Sequence, residues 1–359
     1  MPPTADPLVY VARPTLRLNG VEDERLASLL THLVMSEQEG GLSALELRLA
    51  NSASLRTGAA EYAFDAGGDL ELGKELIVGA GDSSSPSEIF RGVITGLEGM
   101  FSESAPPELI VLAEDALQKL RCRRRSRTYE DQSLADIART IAGDHALTPV
   151  IDGLDGHVGT QVQLNETDLG FLRRLLARVD ADVQIVGTEL HLSPREHVRR
   201  GTVELALGFD LKRARILADL AHQSTRATTL GWDASAGQEL QAESPTSVPG
   251  PGRGRSGADW FQEGFSARTE QVCHGLSDKQ PEADAVAATA GRRRARRFVR
   301  IQGVTTGTPQ LRVGTHASVS GLGAWFSNTY YVTSVRHRFD LQEGYRTEFE
   351  GECAFLGEA

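Results

Sequence analysis

The segment between residues 307 and 337 constrains the fold most, because strand-forming residues alternate there with glycine and proline turns. A turn built on Pro309 leads into a strand, and Gly314 then supplies a position where unusual backbone angles cost little. After a further break, residues 330–337 alternate as a long strand should. The pattern predicts an antiparallel β-unit, marked by Pro309, Leu311, Gly314, Gly321, Tyr330, Val332 and His337.

The first third of the chain carries the same kind of signal. Residues 45–49 alternate apolar and charged side chains, and further strand-like segments follow at 75–78, 90–97 and 109–113. Short strands at close spacing with glycine-rich turns are typical of a small barrel or sandwich. We therefore expect a β-barrel domain over residues 1–117.

The pattern changes to a helical period in the middle of the chain. Ser133 is a good N-cap for a helix with apolar residues at 134, 137, 138 and 141, and Thr167 could cap a second helix with a leucine stripe. Residues 183–192 read as a hairpin around Gly187. We expect an α/β domain with two amphipathic helices over residues 118–200. The basic run at 121–127 is either a patch for an acidic partner or, more simply, a solvated connector.

A second barrel is expected over residues 201–359, interrupted at about 235–297 by a flexible loop and a helix. Residues 244–257 are rich in proline, glycine and serine, which predicts an exposed, mobile loop. The alanine-rich stretch at 281–290 predicts a helix that leads into an arginine run, and Gly291 weakens its continuity. The predicted fold class is thus α+β and mainly β, with two barrels and an α/β domain between them.

Composition excludes several classes of protein. A formal net charge of −11 argues against specific nucleic-acid binding, which normally requires a basic balance. A mean hydropathy of −0.27 and the absence of a long apolar run argue against a membrane span. The first residues do not form a signal peptide, so synthesis in the cytoplasm is expected. Three widely spaced cysteines predict neither a disulfide framework nor a metal clamp.

Each motif in the chain that could carry chemistry has a simpler explanation. Residues 68–75 match a phosphate loop up to its lysine, but Glu75 stands where Ser or Thr is needed. The glycines at 252, 254 and 257 lie in a Pro/Gly linker instead of following a strand. His191 and His197 are more simply exposed or packing histidines than metal ligands. The carboxylate pairs Glu37/Glu39 and Glu114/Asp115 are read as surface charge. We therefore predict no catalytic, cofactor-binding or metal-binding residues and no enzyme activity.

Two stretches resemble the phage late control D family, the baseplate hub proteins of contractile tails, which are related to the hub half of VgrG-type spike proteins. One is the closing β-unit. The other is the order of two helix-starting segments in the middle of the chain, and its specificity comes from finding both upstream of that β-unit. Its matching residues are Tyr129, Asp131, Ser133, Asn165, Glu166, Asp168, Leu169, Phe171 and Leu172.

The resemblance implies a structural subunit of a phage tail, tailocin or extracellular injection system. It implies a homotrimer whose two tube-like barrels per chain form a six-unit ring, joining the six-fold tail tube to a separate trimeric spike and to other baseplate proteins. The mature location would be the baseplate of the particle. Two alternatives stay open: a tail-associated cell-wall hydrolase, and a receptor- or glycan-binding tail-tip protein.

Overall fold

The computed structural model describes residues 13–54, 60–65, 70–82, 85–156, 158–246, 250–277 and 279–357. Strands dominate these residues, and the expected mainly β fold is confirmed. Part of the phosphate-loop-like motif, residues 68 and 69, lies outside the described residues. Within them, no helix combines the length and the apolar character needed to span a bilayer.

The first part of the chain forms one arm of a large antiparallel sheet. In the strand Ala44–Ala50 the residues Leu45, Leu47 and Leu49 point into the core while their neighbours face outward, as the alternation predicted. The elements of this first part of the chain are β1 (Thr15–Leu18), β2 (Val21–Glu22), α1 (Glu24–Leu29), β3 (Leu30–Gln38), β4 (Ala44–Ala50), β5 (Ala53–Ser54), β6 (Ala60–Glu61), β7 (Glu75–Ala80), β8 (Ser87–Met100) and β9 (Glu108–Glu114).

The middle part contains the two expected helices, each started by its predicted cap. The Ser133 side chain accepts a hydrogen bond from the Asp136 amide, and Thr167 accepts one from the Gly170 amide. The hairpin around Gly187 is also present. The elements are α2 (Gln118–Arg121), β10 (Arg124–Tyr129), α3 (Leu134–Asp144), β11 (Thr148–Ile151), β12 (Gln161–Thr167), α4 (Asp168–Leu176), β13 (Ala181–Val186) and β14 (Glu189–Pro194).

The last part returns to the large sheet after a long insertion. Its elements are β15 (Thr202–Ala206), β16 (Leu211–Ala218), β17 (Arg226–Asp233), β18 (Gln238–Pro245), β19 (Arg255–Ser256), α5 (Gly257–Phe265), β20 (Thr269–Ser277), α6 (Gln280–Arg296), β21 (Val299–Thr305), β22 (His316–Ser320), α7 (Gly323–Phe326), β23 (Asn328–Asp340), β24 (Gly344–Cys353) and β25 (Phe355–Leu356). The insertion comprises β17 to α6.

A single antiparallel ladder joins the two arms. Strand β3 pairs with β23 from Gln38 opposite Ser334 to His32 opposite Asp340. The sheet therefore runs without a break in the order β16-β21-β24-β23-β3-β4-β9-β8-β7-β1-β2, with β15 and β22 attached beside β23. Each arm and the middle part has its own cluster of buried apolar residues. The domain boundaries at 117 and 200 stay predictions.

The insertion corrects two expectations. Residues 244–257 are not simply a mobile loop, since β18 reaches Pro245 and Arg255–Ser256 pairs with Phe355–Leu356. Residues 247–249 lie outside the described part of the chain. Helix α6 runs through Gly291 without a break. A Cβ at Gly291 would lie 3.6 Å from the Pro245 carbonyl oxygen, an ordinary contact distance, so the packing of the helix on β18 does not itself require glycine there.

Two further expectations are wrong in detail. The basic run at 121–127 is not a simple connector, because residues 124–129 form strand β10 against β12, and Arg125 and Arg127 both bind Asp144. Strand β23 does not alternate throughout, since Tyr330, Tyr331 and Val332 are all buried. Tyr331 is covered on the opposite face by Arg195, and a register shift between Val332 and Ser334 moves the buried face from Tyr330 and Val332 to Val335, His337 and Phe339.

Candidate functional site

The most unusual chemistry lies in a buried charged junction where the two sheet arms, the middle part and α6 meet. Glu37, at the end of β3, is 5% exposed. Its carboxylate accepts hydrogen bonds from Arg312 Nε at 2.7 Å and Arg200 Nη1 at 3.3 Å. The Glu37/Glu39 pair is therefore not surface charge. A carboxylate buried between two guanidinium groups ties the first arm of the sheet to the last.

Arg195 provides the second contact in this junction. It binds Glu39 of the first arm and, at 3.1 Å, Glu352 of β24. Its guanidinium carbon also lies 3.8 Å from the centre of the Tyr331 ring, a cation–π geometry. Burial opposes the charge of Arg195, but Glu39 and Glu352 hold its pKa above the usual value. The arginine thus stays charged in a buried position.

Asp180, just before β13, binds the arginine-rich end of α6. Both of its oxygens lie 2.6 Å from Arg296 Nη1, and Arg293 Nε lies at 3.3 Å. Although burial opposes the charge of Asp180, Arg296 and Arg293 lower its pKa below the usual range. Arginines in the last turn also suit the partial negative charge at a helix C-terminus. The contact fastens the insertion to the middle part.

Two other buried carboxyl groups behave differently. Burial raises the pKa of Asp182 to about 7, and the charge of Glu39 adds to the effect. Burial also raises the pKa of Asp115 to about 6, although the backbone amides of Ser43 and Leu117 donate to it. Asp115 therefore serves as a turn anchor, and the expectation that Glu114/Asp115 is surface charge fails for this residue.

The residues of the closing β-unit serve the packing of that unit. His337 is fully buried: its Nε2 lies 3.1 Å from the Leu311 carbonyl, and its Nδ1 lies 2.7 Å from the Tyr345 hydroxyl. The Leu311 carbonyl can only accept, so Nε2 carries a proton, while the Tyr345 hydroxyl can donate to Nδ1 of a neutral ring. Burial and the nearby Arg312 lower the pKa of His337 to about 3.

The other marked residues of this unit make close approaches. Gly314 has φ +86°, and a side chain there would lie 2.6 Å from Val198, so glycine is required. Pro309 packs on Gly81 of the first arm, and the Tyr330 hydroxyl donates to the Phe326 carbonyl at 2.7 Å. Leu311 and Val332 are fully buried, and Gly321 has φ +80° beside Leu207.

The marked residues of the middle part surround a second buried charge, Asp168. Its carboxylate contacts His145 Nε2 at 2.7 Å, Gln163 Nε2 at 2.8 Å and Arg125 Nε at 3.4 Å. The Tyr129 ring stacks on Phe171 with centroids 5.4 Å apart. Leu169 and Leu172 are buried in the same core. These residues fix α4 against the β10–β12 ladder.

Three marked residues outside that core have local structural roles. Asp131 and Asn165 adopt left-handed backbone angles, with φ +48° and +49°, and the Asn165 amide donates to Ser126 Oγ. Glu166 binds Arg174 through two hydrogen bonds, at 3.0 and 2.8 Å. Because Arg174 donates to that carboxylate, the pKa of Glu166 is lowered.

The candidate metal ligands do not converge. His191 pairs with Glu189 at 2.9 Å and His197 with Asp152 at 2.8 Å, and all four are solvent-accessible. No group of three or more His, Cys, Asp or Glu side chains suited to a metal ion exists among the described residues. Cys122 is exposed and Cys353 buried, while the side chain of Cys273 lies outside the described set.

Sequence reasoning missed the residues of the charged junction. Arg195, Arg200 and Arg312 were not singled out, because an isolated arginine in a sequence gives no sign of its partner. The Glu37/Glu39 pair and the arginine run at 292–297 were the available signals, and the fold brings both to the same place.

A family model described as the Alg8 N-terminal domain matches residues 57–340. The chain belongs to that family. The name of this family refers to a domain and states no activity. No curated protein matches this family member significantly.

Several solved structures have a fold similar to that of this chain. The prophage MuSo2 43 kDa tail protein from Shewanella oneidensis superposes with a TM-score of 0.71 at 13% identity, covering 94% of this chain and 97% of that one. A tail protein from Neisseria meningitidis MC58 gives 0.63 at 12% identity, covering 94% and 95%. The Escherichia coli c3393 protein, a type VI secretion component, gives 0.58 at 14% identity, covering 96% and 79%. The fold of this family member is therefore that of phage tail proteins.

Proposed function

We propose that this chain is a structural subunit of the baseplate hub of a contractile injection machine, of the late control D type. The observation that carries the proposal is the nearly complete overlap with the prophage tail protein from Shewanella oneidensis, which leaves little of either chain unmatched. Because the superposition covers nearly all of both chains, the two proteins share a whole-chain fold and not just one domain. The marked residues support a structural role, because most of them pack, cap or bridge elements of the fold.

The proposed assembly is a homotrimer. Two β-rich arms per chain would give six similar units in a ring, matching a six-fold tail tube on one side and a separate trimeric spike on the other. Heterologous contacts between neighbouring chains would close such a ring, and the angle between them would set the number of subunits. The backbone ladder between β3 and β23 supports this proposal, because it holds the two arms of one chain at a constant angle.

The proposed partners are further copies of this chain, the tail tube protein, a separate spike protein and other baseplate proteins. Neither a membrane nor a specific nucleic acid belongs to this set. The chain would be made in the bacterial cytoplasm and would end up in the baseplate of a phage tail or tail-like particle. In this role it performs no catalysis.

A mass measurement in solution tests the proposal. Light scattering after size exclusion would be run on the protein alone and together with its spike partner. A trimer, or a monomer that becomes trimeric with the spike, is the expected result. A monomer that binds neither the spike protein nor the tube protein would contradict the hub assignment. Zymography on cell-wall material and glycan binding would then test the hydrolase and receptor-binding alternatives.

A further inference from the structure

A cavity of about 300 Å³ lies beside the charged junction and has no assigned role. It opens to the surface and is lined by the segment after β14, by residues 250–251, by the last turns of α6 and by β22 and β23. The lining side chains that matter here are Arg195, Arg199, Arg292, Arg296, His316 and Tyr331. A volume of this size can hold a small ion together with several water molecules, each of which takes about 30 Å³ in the liquid.

Positive charge is in excess around this cavity. The carboxylates that line it are Asp180 and Glu196, against four arginines. Including the charged residues just outside the cavity does not remove the excess of positive charge. Glu39 and Glu352, which bind Arg195 from the other side, are balanced by Arg293 and Arg297, which share Asp180 and Glu352.

Two arginines of the cavity lack a close carboxylate. Arg199 makes no ion pair with any residue in the described part of the chain, and Arg292 reaches Asp180 only at 3.9 Å. The positive potential is felt by His316, whose pKa is lowered first by burial and then by Arg199 and Arg195. This protein has a net charge of −11, so such a local reversal of sign requires an explanation.

The Tyr331 hydroxyl is an independent observation that points to a ligand. Its side chain is 2% exposed, and its hydroxyl has no hydrogen-bond partner among the described residues. Buried hydroxyl groups are nearly always hydrogen-bonded, since leaving one unpaired is costly. The ring is held in place by Arg195, so the hydroxyl cannot turn out to solvent without breaking that contact.

We propose that this cavity binds a small oxyanion of the phosphate or sulfate class. Guanidinium groups donate paired N–H bonds that match the oxygens of such an anion, and a phenol hydroxyl adds a further donor. Chloride offers no such geometry. The anion would link three parts of the chain at once: the segment after β14 through Arg199, α6 through Arg292, and β23 through Tyr331.

The test uses the full chain and inorganic phosphate as the probe. Thermal unfolding would be followed with increasing phosphate at constant ionic strength, with sodium chloride as the balancing salt, and calorimetry would give the dissociation constant. Phosphate should raise the Tm in a saturable way, because a ligand that binds only the folded state stabilises it by mass action. Sulfate should replace phosphate, and acetate should not.

Two variants distinguish a specific phosphate site from general screening of the positive charge. Tyr331→Phe keeps the ring on Arg195 and removes only the hydroxyl. It should weaken phosphate binding by about tenfold while leaving the Tm in chloride unchanged or higher. Arg199→Gln should weaken binding by a similar factor. Arg213→Gln is the matched control, because it removes the same charge from an exposed position on β16 that lies outside the cavity.

The outcomes are decisive either way. Saturable stabilisation that Tyr331→Phe and Arg199→Gln reduce and Arg213→Gln spares would support the site. Phosphate that acts no differently from chloride would overturn it. So would equal losses in all three variants, since that result indicates general screening of charge. Acetate as effective as phosphate would point to a carboxylate ligand instead, and would also refute a site of the phosphate or sulfate class.

Discussion

Replacing Glu37 by glutamine should destabilise the protein strongly while preserving its shape. The carboxylate is 6% exposed and is shared by Arg312 and Arg200, whose side chains are 25% and 19% exposed. Removing one member of a buried ion pair costs about 3–5 kcal/mol, because the remaining charge stays buried without a partner. Both arginines keep some solvent contact, so a value of about 3 kcal/mol at the lower end of that range is expected.

The measurement is urea unfolding followed by circular dichroism, with the parent and variant compared at one pH and one salt concentration. Glu88→Gln is a matched control, since Glu88 binds Arg91 at 2.6 Å but the two side chains are 42% and 35% exposed. The control should change the free energy of unfolding by less than about 1 kcal/mol. A double-mutant cycle with Arg312→Gln should show that the second change costs less than the first.

A small effect would refute the reasoning. If Glu37→Gln costs no more than Glu88→Gln, then the buried network is not what joins the two arms, and the backbone ladder between β3 and β23 does so alone. An additive double-mutant cycle would show instead that Glu37 and Arg312 do not interact energetically, despite the 2.7 Å contact.

Four further predictions follow from the same contacts. The folded-state pKa of Asp182 is raised from 3.8 to about 7, so its contribution to stability is fully present below the unfolded value and is lost as pH rises through the folded value. Asp182→Asn should therefore gain stability relative to the parent between about pH 4 and pH 7 and level off above, and a constant difference in urea unfolding over that range would contradict this. The pKa of His337 is lowered from 6.5 to about 3, so the stability that the neutral ring contributes is lost as pH falls from the first value to the second. The imidazole NMR signals of His337 should therefore not shift between about pH 7 and pH 5, where exposed histidines titrate, and a shift in that range would contradict the lowered pKa. Ser133→Ala removes the cap of α3 and should cost about 1 kcal/mol in urea unfolding, and an unchanged midpoint would show that the cap is dispensable. Phe101 is 66% exposed and contacts Tyr62, and Phe101→Ser should change stability by less than about 0.5 kcal/mol while weakening the proposed trimer in light scattering. Leu341→Ser, at 59% exposure, should leave both stability and the proposed trimer unchanged, and equal effects of the two variants on the trimer would exclude Phe101 and Tyr62 from the subunit contact.

Much of the fold could be predicted because the deciding information lies within a few residues. The caps at Ser133 and Thr167 bond to amides three positions away, and the β13–β14 hairpin depends on one turn. The alternation in β4 identified its buried face directly. The mainly β class followed from such local patterns.

The charged junction could not be predicted in this way. Glu37 binds Arg200 and Arg312, which lie 163 and 275 positions along the chain, and no local pattern connects them. The stretch at 244–257 shows a different limit. Its glycines suggested mobility, but Gly252 lies against Cys353 and Asn328, and Arg253 exchanges two hydrogen bonds with Asn328. Glycine is needed there for close approach, and composition alone does not separate that need from flexibility.

The ladder between β3 and β23 has a mechanical consequence for a ring of such chains. Within one chain, the two arms are joined by backbone hydrogen bonds from Gln38 opposite Ser334 to His32 opposite Asp340, reinforced by buried ion pairs. Neighbouring chains have no covalent continuity, so a trimeric ring would alternate stiff joints with softer ones. Under axial load, such a ring would yield between chains first and would separate into intact two-arm pieces.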